Sequence, residues 1–162
     1  MAWDAYLTVE GVSGESQREG HEGEIEIISF NFGAHNPSSV GVGGGGGTGT
    51  VSLTAFTVIK KTDAASAELF QHCCDGEHFP TGTLTLYKSG GGGGPLDYLV
   101  YAFEELYVSS INWSGSDGGD GVPQEIVDFN FGRVEITYAE QTTDGTRGGD
   151  HVGSWDVRTR RP

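Results

Sequence analysis

The densest set of chemistry-bearing side chains in this sequence is His72-Cys73-Cys74-Asp75-Gly76-Glu77-His78. Imidazole, thiolate and carboxylate in one short stretch are the donors of a metal site. Zinc sites, however, space ligands in pairs about two to four residues apart and add a second pair elsewhere. No second pair exists, and adjacent cysteines chelate poorly, so these two read as structural residues at a helix end. Glu15, Ser16 and His21 bring together a carboxylate, a hydroxyl and an imidazole, but one short loop does not build a triad. There is no GxSxG, no HExxH and no nucleophile signature around a cysteine. Ser116–Gly121 and Asp144–Asp150 resemble calcium loops, yet lack the DxDxDG spacing and the distal glutamate, and read as acidic turns. The runs Gly43–Gly47 and Gly90–Gly94 have neither the lysine nor the strand-to-helix setting of a phosphate cradle. The expectation is a chain with no catalytic, cofactor-binding or metal-binding residues.

The elements that would hold these residues are nearly all strands. Alternating or β-branched runs fall at Trp3–Glu10, Glu24–Ala34, Thr50–Lys61, Thr81–Lys88, Leu96–Ser110, Gln124–Tyr138 and Val152–Arg158, with glycine-rich breaks between them. Ile25 and Ile27 share one parity and Ile28, Phe30 and Phe32 the other, which predicts a bulge that re-aims the strand face. Asp63–Cys73 is the only helical stretch. Thr62 or Asp63 would cap it, Asp75-Gly76 would end it, and Leu69, Phe70 and Cys73 would pack on the strands. The fold class is therefore all-β, a barrel of two antiparallel sheets with one flanking α-helix. By length it is a single domain, 1–162. Its flexible glycine-rich loops lie at about 36–49 and 89–95, and a basic tail occupies 158–162.

Nine basic residues against 23 acidic ones give a formal charge of −14. Nucleic acid and anionic membrane surfaces are excluded as partners, because their phosphates would be repelled. Lysine is confined to Lys60, Lys61 and Lys88. High acid with scarce lysine suits a protein working in concentrated salt, where screening removes self-repulsion; an ordinary acidic soluble protein is the other reading. The start, Met1–Tyr6, has no basic region and no apolar block, so no signal peptide is visible. No run reaches transmembrane length. Synthesis in the cytoplasm and exit by a route that reads no N-terminal signal is the expectation. Cys73 and Cys74 read as free thiols, since a bond between sequence neighbours is strained.

One core pattern occurs twice: Phe30-Asn31-Phe32-Gly33 and Phe129-Asn130-Phe131-Gly132. In each, the phenylalanines face one side and the asparagine the other. Either these are two similarly buried strands of one barrel, or both line a common surface on which Ser29, Asn31, Gly33 and Asn130 face a water-filled channel.

The segment from Gly14-Glu15-Ser16 through His21 into the strand up to Gly33 resembles the haemolysin-coregulated protein (Hcp) family. So do His78-Phe79-Pro80, Tyr98-Leu99, Val108-Ser109-Ser110, Glu125, Tyr138 and Trp155, in the same order and spacing. The acidic composition, scarce lysine and long glycine runs depart from it. The resemblance implies an Hcp-like fold, akin to phage tail tubes. It also implies a structural subunit that closes into hexameric rings and stacks into the hollow inner tube of a contractile injection machine. Its partners would be copies of itself, the contractile sheath, spike and baseplate proteins, and effector cargo in the lumen. No membrane insertion and no enzyme activity are expected. The excursion from Gly33 to Thr50 would reach the next ring, with Val40, Val42 and Gly43, Gly44, Gly45, Gly46 and Gly47 as the stacking residues. Arg158, Arg160 and Arg161 are either a frayed end or contacts to a neighbouring ring or sheath. A released phage-tail-like particle, a ring-shaped carrier that never polymerises, and a secreted β-barrel hydrolase or lectin-like protein stand as alternatives.

Overall fold

The computed structural model describes residues 2–37, 49–90 and 94–162. Ten strands and one helix follow in the order β1 (Asp4–Val9), β2 (Ile25–Ile27), β3 (Ser29–Asn31), β4 (Ala34–His35), β5 (Ser52–Leu53), β6 (Phe56–Lys61), α1 (Ser66–Asp75), β7 (Phe79–Ser89), β8 (Pro95–Ser114), β9 (Gln124–Gln141) and β10 (Arg147–Asp156). The main sheet has the order β2-β1-β7-β8-β9-β6-β3, with β10 added on β9, and β4 and β5 form a separate two-stranded sheet. Every pairing is antiparallel.

The two ends of that order, β2 and β3, are consecutive pieces of chain separated only by Ile28. The parity change between Ile27 and Ile28 is therefore not a bulge in one continuous strand. It is the point where the chain leaves β1 and joins β6, with the Ile28 N–H donating to the Ile59 carbonyl at 2.8 Å. One short segment thus ties the two ends of that strand order together and brings the sheet round into a barrel, leaving β10 as an edge strand. β9 makes this possible by its length. Its first half, Gln124–Phe129, pairs with β6, and its second half, Arg133–Gln141, pairs with β10.

A second irregularity crosses three strands at once. Inward positions step by three residues instead of two from Phe79 to Gly82, from Phe103 to Leu106 and from Phe131 to Val134; all six are buried or, for Phe131, packed against the core. The flanking registers place Pro80, Glu105 and Gly132 in one transverse row. Glu105 adopts φ 55°, a left-handed conformation rare outside glycine. Its two neighbours suit this kink, since proline lacks an N–H and glycine lacks a Cβ. The barrel wall bends at this row.

Inside, Phe56 stacks on Phe103 with centroids 4.5 Å apart and meets Phe129 at 5.9 Å, while Phe32 meets Phe103 and Phe131 edge-on. Both copies of the repeated Phe-Asn-Phe pattern thus feed one aromatic core. Truncating Phe56 or Phe129, both fully buried, would remove about 3–5 kcal/mol.

The helix begins three residues later than the pattern predicts and ends two later. A buried polar knot explains the start. Lys60 and Glu125 are wholly buried cross-strand partners whose side chains pair directly. Lys60 Nζ also donates to Asp63 Oδ1 at 2.7 Å and to Ser66 Oγ at 3.2 Å, and Ser66 Oγ donates to Glu125 Oε1 at 2.9 Å. Asp63 is drawn into this knot and accepts the Ala65 N–H at 3.0 Å, so the chain turns before it coils. Removing either member of a buried pair leaves an unmatched charge, at a cost of about 3–5 kcal/mol. The knot therefore fastens α1 to the end of the barrel.

Only part of the expected apolar face of α1 is inward. Leu69 is fully buried and Cys73 packs against the core, whereas Phe70 is 48% exposed and leans on Trp113, itself 44% exposed. The reason is the length of β8. It runs to Ser114 rather than Ser110, and its last turn-out places Trp113 beside the helix. β10 likewise starts at Arg147 rather than Val152, because an edge strand exposed on both faces carries no alternation to read.

Candidate functional site

The clearest candidate surface is the outer face of β3, β6, β9 and β8. Cross-strand registers set Asn31, Thr57, Asp128 and Ser110 in one row, and Ser29, Ile59, Ile126 and Asn112 in the next; Asn130 lies opposite Tyr107 on the same side. The two asparagines of the repeated pattern are both exposed and belong to one continuous face, with β6 between their strands. Side chains on this face are tied to one another. Thr57 Oγ1 donates to Asp128, Asn112 Nδ2 to Ser110 Oγ at 2.8 Å, and Ser109 Oγ to the Asp128 carbonyl at 3.1 Å. These two rows carry one carboxylate, which is occupied, and their side chains are polar apart from Ile59 and Ile126, the latter 41% exposed. Gly33 stands beyond the end of β3, where its N–H and carbonyl both bond Thr54.

The second Phe-Asn-Phe-Gly ends differently. A Cβ on Gly132 would lie 2.8 Å from Glu105 Oε2 and 3.1 Å from Arg158 Nε. The Gly132 carbonyl accepts the Val157 N–H at 2.8 Å. Arg158 spans Glu105 and Asp156, and Asp156 also accepts the backbone N–H groups of Arg158 and Thr159. The Arg158 side chain foremost, then the Thr159 N–H, hold the Asp156 carboxyl at about 2. Arg161 closes the turn, its carbonyl accepting the Asp156 N–H at 2.7 Å. Of the three tail arginines, Arg158 is thus engaged within the chain. Arg160 borders an open apolar groove of about 710 Å³ that Phe32, Leu53, Val134, Ile136 and Trp155 line. The stacking residues Val40, Val42 and Gly43–Gly47 lie outside the described residues; their flanks, Asn36 and Gly49, border this same groove.

Ser16 is buried, and the Gly14–Glu24 segment is a closed lasso bonded through Gly14 N to Gly23 O and Ser16 N to Glu24 O. His21 stacks on Tyr6 at 4.2 Å and its Nδ1 lies 3.1 Å from Glu24 Oε2. Neither Ser16 nor Glu15 approaches His21 in the geometry of a triad. Cys73 and Cys74 are free. In the heptad around them, the residues that converge are His72, Asp75 and Glu77, while His78 turns away onto Tyr107. The buried Lys60–Glu125 pair was not legible: a lysine beside a second lysine on an amphipathic strand reads as solvent-facing, and only the closed barrel makes its position interior.

Comparison with known proteins follows this geometry. A family profile described as "Type VI secretion system effector, Hcp" matches residues 6–138. Protein hcp1 of Pseudomonas aeruginosa is 33% identical over 159 residues, covering 98% of this chain and 97% of that protein. A solved structure of a type six secretion system protein superposes with a TM-score of 0.91 at 32% identity, covering 99% of each chain. Hcp1 from Salmonella typhimurium does so with a TM-score of 0.81, also at 32% identity and covering 99% of each chain.

Proposed function

This chain belongs to the Hcp family of the type VI secretion system, and from that premise we propose how its surfaces serve the tube. It is an inner-tube subunit, and closure into hexameric rings that carry effectors fits the family. Its contribution is shape and surface. Catalysis is no part of this role, and export goes through the apparatus itself.

The lumen is assigned to the outer face of β3, β6, β9 and β8. The observation that carries this is the pair of rows holding Ser29, Asn31, Asp128, Ser110 and Asn112, with Asn130 beside them. A channel through which cargo must slide needs side chains that hold water and offer few unpaired charges, and apart from Ile59 and Ile126 this face has both properties. Gly33 marks its border with the excursion that begins at β4. The exposed Phe70–Trp113 pair is assigned to the neighbour within the ring, since two aromatics in contact at a subunit flank gain by leaving water. Ring-to-ring contacts are heterologous, so they do not close and a tube grows. The segment holding Val40, Val42 and Gly43–Gly47 supplies that contact, with Arg160 and Arg161 reaching towards a ring or sheath. Sheath, spike and baseplate proteins complete the machine.

Asn31→Lys tests the lumen. In electron micrographs the variant is expected to keep its rings, while retention of an effector in pull-downs changes at least severalfold. Unfolded protein, or rings with unaltered retention, would remove Asn31 from the lumen.

A further inference from the structure

We propose that the C-terminal end of α1 is a binding site for a borderline divalent metal ion of the zinc or nickel class, held by His72, Asp75 and Glu77. The coordinating atoms of these three residues lie within 4.8 Å of one another, close enough to reach one ion. Three features make this more than an incidental cluster of surface charge.

The first is that the imidazole is already held. Its ring lies 3.9 Å over Phe79, nearly parallel at 16°, and its Nδ1 is 3.1 Å from the Glu77 carbonyl. Immobilising an imidazole beforehand is what outer partners do in metal sites. The second is the position of the carboxylates. Asp75 is the last residue of the helix, and the Gly76 N–H closes onto the His72 carbonyl at 3.0 Å, so Asp75 and Glu77 stand at the negative end of the helix dipole. A cation held between them there would gain from that dipole, and besides the Glu77 N–H the carboxylate of Asp75 accepts only a long hydrogen bond, 3.4 Å, from the Gln71 side-chain amide. The third is that the backbone brings Glu77 back to the helix. Gly76 takes φ 75°, and the Glu77 N–H bonds Asp75 Oδ1 at 3.0 Å.

One imidazole with two carboxylates selects the ion class. Imidazole suits zinc, copper and nickel, while all-oxygen sets suit calcium and magnesium. The cysteines, which the sequence put at the centre of this cluster, are not among the converging donors. The site would hold the ion through three protein ligands and leave further positions to water. It fastens the end of α1 to the start of β7, the junction beneath the flank where Phe70 is exposed.

Untagged, chelator-treated protein titrated with zinc chloride by calorimetry in molar potassium chloride is the test, the salt suppressing general attraction to acidic surface. One saturable site per chain is expected. Asp75→Asn and Glu77→Gln, both at exposed positions, should each weaken it by about tenfold or more with the circular dichroism spectrum unchanged. A double Cys73→Ser, Cys74→Ser variant should bind as the parent does. Heat that never saturates, unchanged affinity in both carboxamide variants, or loss of binding with the cysteines alone would each overturn the assignment.

Discussion

At the scale of single residues, three glycines that look alike in sequence have different duties. A Cβ on Gly14 would run into the Glu24 carbonyl oxygen and meet its carbon at 2.7 Å, backbone atoms that cannot turn aside. On Gly132 it would meet the ends of the Glu105 and Arg158 side chains, which can. On Gly33 the nearest atoms are 3.8 and 3.9 Å away on Thr54, an ordinary contact. Urea unfolding should therefore rank alanine variants: about 3 kcal/mol lost for Gly14→Ala, about 1 for Gly132→Ala through its exposed ion pair, and about zero for Gly33→Ala. A flat series would contradict the lasso and the kinked row alike. Asp156 adds a pH signature. Its carboxyl falls from an ordinary 3.8 to about 2 in the folded chain. The stabilisation this represents is full above pH 3.8 and disappears as pH drops through about 2. The protection factor of the Thr159 amide, which bonds Asp156 Oδ1, should hold at pH 4 and fall near pH 2 once the intrinsic rate is divided out, and Asp156→Asn should abolish the step. An amide indifferent to both would show that Asp156 does not hold the tail.

At the scale of elements, the strands were readable wherever one face is buried. β6, β7 and the middle of β9 set buried residues between partly or fully exposed ones, and β1 does so apart from Tyr6, which is buried against His21; there the hydrophobic pattern sufficed. Reading failed where the burial has no such rhythm. β10 is exposed on most positions, and the last residues of β8, 111–114, go on pairing with β9 although most of them are exposed, with Trp113 meeting the helix. The start of α1 was misplaced because it is decided by Lys60 and Glu125, contributed by two strands. The same element carries the test of the ring flank. Phe70→Glu puts a charge on a half-exposed position without touching Leu69, so helicity and unfolding midpoint should hold within about 0.5 kcal/mol. Sedimentation should then show monomers where the parent gives rings. Rings of normal stability would move the subunit contact away from α1.

At the scale of the whole molecule, the net charge opposes assembly. Each chain carries a formal −14, and a ring places several such chains in contact. At about 0.01 M salt the Debye length is ~30 Å, wide enough for neighbours to repel across a whole barrel, whereas near 1 M it is ~3 Å. Electron micrographs of one preparation dialysed into low and then molar salt should show dispersed subunits turning into rings or stacked tubes. Rings already abundant in low salt would mean that pairing at the interface outweighs the repulsion. What the amino-acid order by itself determined is the local pattern: β class, most strand positions, the single helix, the paired Phe-Asn-Phe segments and the family resemblance. These depend on periodicity and on short motifs, which a chain carries along its own length. What the tertiary structure alone decided is how distant segments meet. Ile28 exchanges one neighbour strand for another because both edges of the sheet arrive there. Lys60 becomes interior because the barrel closes over it, and Pro80, Glu105 and Gly132 form one kink because three strands align. Burial, charge pairing and steric room are properties of such meetings, and no window of sequence contains them.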